Sequence, residues 1–154
     1  MRWIYYARVY LISFEFLSVV IGVATCLFFR DLLERYFSEI SLNKDAIEWM
    51  TLLPLGVSCW VLKEGHAILF PEHENLKLLH EWPDYWRFEA HVYIGVFNAL
   101  LFSSVCVGIW FFGFIDTIIG LWLFLVFVLA NGINALSFYF AKIAVKKSLI
   151  KVRV

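Results

Sequence analysis

From residue 92 to residue 141 the chain runs fifty positions with one charged side chain, Asp116, close to the midpoint. A helix needs about 20 apolar residues to cross a hydrocarbon core about 30 Å thick, so this stretch predicts two crossings joined by a tight turn at Asp116. Two further apolar runs come before it. Residues 9–29 are interrupted only by Glu15, and a second run begins near Ala46 and is uncharged over 49–62, ahead of Lys63, Glu64, His66 and Pro71. The pattern predicts an all-α protein, an integral membrane four-helix bundle forming one domain over 1–154. The spans are expected at about 5–29, 46–68, 88–113 and 117–141, with short interfacial helices in the loops.

Local signals refine these elements. Asp45 and Glu48 have the spacing of a capping box at the start of the second span. Pro54 removes one backbone hydrogen bond and predicts a kink there. Such a kink survives in lipid if neighbouring helices satisfy the freed carbonyl. Leu32, Leu33, Tyr36, Phe37 and Ile40 recur at helical spacing among Arg30, Asp31, Glu34, Arg35 and Glu39. They predict an amphipathic helix on the outer surface, or a continuation of the first span. Before the third span stand Trp82, Tyr85, Trp86 and Arg87, of a type that favours headgroup depth. They are candidate interfacial anchors or partner contacts, and Pro83 suits the first turn of a helix.

Composition strengthens the membrane reading. Hydrophobic residues make up 62% of the chain, against about 45–50% in soluble proteins, and mean hydropathy is +0.79. Formal net charge is zero, so no global field points to nucleic acid. The placement of basic residues says more. With both termini on one side, that side holds Arg2, Arg8, Lys63, Lys77, Arg87, Lys142, Lys146, Lys147, Lys151 and Arg153, and the other only Arg30, Arg35 and Lys44. The asymmetry predicts cytoplasmic termini in a membrane of the bacterial inner type. The basic tail over 142–153, interleaved with apolar residues, is expected to lie on anionic lipid. The first span is expected to remain as an uncleaved anchor, because Glu15 interrupts it and Thr25 before Cys26 is a poor lipoprotein signal. Cys26, Cys59 and Cys106 lie in separate apolar runs without CxxC spacing, as small core residues do.

Candidate chemistry comes from depth. Folding the hairpin at Asp116 sets Asn98 level with Asn131 and Asn134, and counting inward from the other ends brings Glu15, Lys63, Glu64 and His66 to a similar level. Polar groups from all four spans thus form one expected intramembrane layer in the cytoplasmic half. An ionised group at a helix centre costs about 2.5–3.5 kcal/mol and usually faces the bundle or water. Glu15 reads either as a protonated or Lys63-paired carboxyl that fixes helix register, or as an ion-responsive or partner-contacting group. The asparagines suit interhelical hydrogen bonds, while Lys63 and Glu64 can also snorkel to the interface. Ser18 with Gly22, and Ser104 with Gly108, have small-xxx-small spacing that permits close helix approach. His66, His73 and His80 repeat every seven residues with Pro71 between them. Helix-borne metal pairs need spacings of three or four, so no metal or cofactor is expected.

GxSxG, HExxH, P-loop and GxGxxG patterns are all missing from the sequence, which argues against an enzyme. In number and size of spans the chain resembles immunity proteins against pore-forming bacteriocins, phage superinfection-exclusion proteins and membrane subunits of phage-defence systems. That likeness covers architecture alone and transfers no functional residue. It implies a small inner-membrane protein acting through recognition of another membrane protein, or through a homo-oligomer. The alternative is an oligomeric ion channel or transporter-like subunit with Glu15, Lys63 and the asparagines facing a pore.

Overall fold

The computed structural model describes residues 8–37, 44–70 and 85–153, with side chains described for 8–35, 49–70 and 85–145. The described residues are helical nearly throughout and include no strand. The elements are α1 (Phe14–Phe28), α2 (Arg30–Phe37), α3 (Lys44–Leu69), α4 (Tyr85–Phe111), a 3₁₀ turn (Phe114–Asp116) and α5 (Ile118–Arg153). Two of them, Tyr85–Phe111 and Ile118–Val145, are long and apolar enough to cross a membrane, while α1 is apolar but shorter.

The first apolar run does not form one continuous helix over 5–29. Residues 8–12 are helical, but Ser13 is extended (φ −65°, ψ 141°) and its Oγ accepts from the Phe16 N–H at 3.1 Å. A serine in that geometry satisfies an amide that has no intrahelical partner and so starts a new helix. A second break falls at Phe29, after which α2 begins. The expected amphipathic segment is therefore a separate helix, with Leu33 buried and an exposed Arg30–Glu34 pair at 2.9 Å. That carboxylate raises the pKa of Arg30 through hydrogen bonding and charge. The backbone of α3 is helical from Lys44, but the side chains of Asp45 and Glu48 lie outside the described residues, as do Pro71, His73, His80, Trp82 and Pro83.

The expected hairpin is present, with its turn built by glycine and threonine. Gly113 takes the left-handed conformation (φ 70°) that ends α4, a backbone region closed to most side chains. Thr117 then caps α5, its Oγ1 accepting from the Gly120 N–H at 3.0 Å. A Cβ at Gly120 would strike the Phe114 carbonyl, so this glycine lets the chain fold back tightly. Beyond the turn, α5 continues without interruption past the expected end at 141 to Arg153.

The longest helix, α5, is the hub of the packing: α1, α3 and α4 each lie along it. One apolar cluster joins Val61 and Ile68 of α3, Val92 and Ala99 of α4, and Phe138 of α5. Another, nearer the turn, joins Cys106, Ile115 and Phe124. Close approach depends on two glycines, because a Cβ at Gly22 would collide with Val126 and one at Gly95 with the Phe138 ring. The Trp122 Nε1–H also donates to the Gly22 carbonyl at 2.9 Å. Of the two small-residue pairs in the sequence, Gly22 therefore lies at a tight contact, while Gly108 faces open space.

Candidate functional site

Polar side chains line the seams between α5 and its neighbours, at several levels. Asn131, fully buried, points its Nδ2 into a junction of three helices: it donates to the Pro54 carbonyl at 3.0 Å and to Ser58 Oγ and Ser103 Oγ at 3.2 Å each. The two serine hydroxyls lie within hydrogen-bonding distance of each other, and each can give its single proton to a carbonyl instead, Ser58 to Ala99 and Ser103 to Pro54, both at 2.8 Å. The proline thus sits where its own carbonyl collects donors from α4 and α5. Three residues on, Asn134 donates from Nδ2 to the Gly95 carbonyl at 2.7 Å. Ser137 follows, donating to Glu15 Oε1 at 2.9 Å, and then Lys142, which pairs with Glu64 of α3.

This arrangement changes the expected layer in three ways. First, it is a ladder: from Asn131 to Lys142 the rungs climb about 16 Å at 1.5 Å per residue. Second, Glu15 is buried at 7% exposure, but its partner is Ser137 on α5 and not Lys63. Lys63 and His66 lie on the exposed side of α3, outside the ladder, while half-buried Glu64 joins it through Lys142. Third, Asn98 falls between the Gly95 and Ser103 rungs on α4, as the hairpin count required, yet makes no side-chain bond to Asn131 or Asn134. Its Oδ1 is buried with no donor among the described residues, and the same holds for Asn131 Oδ1.

Sequence reasoning missed Ser58, Ser103 and Ser137, which supply the hydroxyls of the ladder. A usable signal was present for two of them: Ser58 lies four residues after Pro54, and Ser137 lies three after Asn134, each one turn along a helix face.

Beside the ladder a cleft of about 860 Å³ opens between residues 8–15, α4 and α5. It exists because α1 packs on α5 more than on α4, leaving the start of α1 apart from the start of α4. One end is basic, with Arg8, Arg87 and His91; the other holds Glu15, Asn98 and Asn134. Along α4 these ends are about 16 Å apart, from Arg87 to Asn98 at helical rise. Val92, Ile94 and Phe138 form apolar wall between them. Of the expected interfacial residues, Tyr85 and Trp86 are half-buried at the start of α4, Arg87 lies over the Trp86 ring at 5.5 Å, and Trp82 is outside the described residues. No group of three metal-binding side chains occurs among the described residues.

Comparison of the chain with protein-family models, with curated proteins and with solved structures gives no match.

Proposed function

We propose that this chain is a small integral membrane protein in which α1, α3, α4 and α5 form a four-helix bundle, and that it acts by recognising another protein in the bilayer. The observation that carries this reading is the Asn131 junction. In lipid, a polar side chain needs a partner inside the protein, and here one amide engages groups from two other helices. Polar groups that could have lined a water path instead hold the helices to one another. The outward faces are apolar: Leu17, Ile21 and Phe28 of α1, Phe97 of α4, and Leu129 and Phe140 of α5 are all exposed. Such a surface suits acyl chains and the apolar faces of partner helices. In this reading the termini are cytoplasmic, the membrane is a bacterial inner membrane, and a role in bacteriocin immunity or phage defence fits the architecture.

A second reading, a channel or transporter-like subunit, draws on the cleft at Glu15 and Asn98, and needs several protomers to enclose a path. Two measurements separate them. Photoreactive residues placed singly at Leu17, Phe97 and Phe140 in intact membranes should give a discrete protein adduct from one face, at a level above labelling of lipid. Equal lipid labelling at every position would overturn the recognition reading, and stepwise conductance of the purified protein in planar bilayers would favour the channel.

A further inference from the structure

The two ends of the cleft differ in charge and in depth. Arg8 and Arg87 are exposed at the outer end, beside His91, whose Nδ1 is held on the Arg87 carbonyl at 2.7 Å. The one carboxylate among the described lining residues is Glu15, which sits at the far end and is hydrogen-bonded to Ser137. The outer end therefore presents two positive charges to whatever enters. It also marks a level: Arg87 lies over the Trp86 ring, with Tyr85 next to it, and tryptophan and tyrosine settle at headgroup depth. From Arg87 to Asn98 the cleft runs about 16 Å along α4, close to half of a hydrocarbon core about 30 Å thick. Over that length Ile12, Val92, Ile94 and Phe138 give it apolar walls, and it opens between α1 and α4 because α1 packs on α5. A basic mouth at headgroup level above an apolar trench one leaflet deep has the shape and charge of a lipid's counterpart. We propose that the cleft holds one anionic phospholipid of the cytoplasmic leaflet, its phosphate against Arg8 and Arg87 and one acyl chain running inward along α4 and α5. Arginine suits the role because its planar fork donates to two phosphate oxygens at once, and basic pockets between spanning helices hold anionic headgroups. The volume of about 860 Å³ lies within the range of small-ligand sites, and the second acyl chain stays in the bilayer. The proposal rests on the membrane placement in the reading above and not on recognition of a partner protein.

The test presents the full chain in maltoside micelles with dioleoyl phosphatidylglycerol or dioleoyl phosphatidylcholine at equal mole fraction, and reads adducts by native mass spectrometry. One-to-one adducts are expected with phosphatidylglycerol, at about tenfold the occupancy of the zwitterionic lipid. Arg8→Gln combined with Arg87→Gln should cut that preference to about twofold or less. Arg30→Gln combined with Arg35→Gln, the same loss of charge on α2, should leave it intact. Equal occupancy of the two lipids by the wild-type chain, which needs no variant to interpret, would overturn the proposal. So would an equal fall in both double variants, which would mean that charge alone attracts the lipid. Retention of the full preference without Arg8 and Arg87 would overturn the assigned site. Excess glycerol phosphate, which has the head without the chain, should not displace the lipid; displacement would reduce the cleft to a phosphate site and overturn the lipid. Membrane placement is read separately, by alkaline extraction of membranes carrying the full chain. Release there would refute the membrane reading and this site with it, whereas retention together with equal lipid occupancy would refute the site alone.

Discussion

Replacing Asn131 by leucine tests whether the three-helix junction holds the bundle together. The amide supplies the N–H groups that lie between Pro54 O, Ser58 Oγ and Ser103 Oγ. Without them the paired hydroxyls must satisfy each other, and one serine has to release the Ala99 or Pro54 carbonyl. Interhelical hydrogen bonds in membranes contribute about 0.6 kcal/mol on average and up to about 1.7, so losing this group of contacts should cost roughly 1–2 kcal/mol. The same substitution removes the unpartnered Asn131 Oδ1, which offsets part of that loss. The decisive quantity is therefore the coupling in a double-mutant cycle with Ser103→Ala, in which single-residue effects cancel. Unfolding in mixed micelles, followed by circular dichroism, should give a coupling of about 0.6–1.7 kcal/mol. A coupling indistinguishable from zero, with Asn131→Leu as stable as the wild type, would refute the claim that the junction ties α3, α4 and α5.

Three further outcomes follow from the packing and the charge pattern. Gly95→Ala should destabilise by about 1–3 kcal/mol, the usual cost of overpacking, because the new methyl meets the Phe138 ring, whereas Gly108→Ala into open space should be close to neutral in the same assay. Glu15→Gln keeps an acceptor for Ser137 and should unfold nearer the wild type than Glu15→Leu, which leaves the Ser137 hydroxyl with only its bond to the Ile133 carbonyl; the reverse order would mean that hydrogen bonding is not what Glu15 contributes. Cysteines introduced at Ser41 and Ser148 should react with an impermeant reagent from opposite sides of the membrane, and labelling of both from outside would reject the proposed topology.

The sequence by itself determined that the chain is helical and that its central apolar run folds back as a hairpin. A long apolar run with its only charge at the centre leaves the backbone few options besides two helices and a turn, because unpaired amides are costly wherever water is scarce. It also marked Glu15, Lys63, Glu64, His66, Asn98, Asn131 and Asn134 as one polar layer; Glu15 and the three asparagines are buried, Glu64 is half-buried, and Lys63 and His66 are exposed. Tertiary structure alone decided which partners they find. Register along a single helix specifies a face, but the pairing of Glu15 with Ser137 instead of Lys63 depends on how α1 rotates against α5, with Gly22 admitting Val126. The break at Ser13 belongs to the same class, because a serine within an apolar run can either stay in the helix or cap a new one, according to where its neighbours pack. The cleft was the least visible feature in the sequence. It is space left between α1 and α4 when both lie on α5, and no one-dimensional pattern records the space between helices.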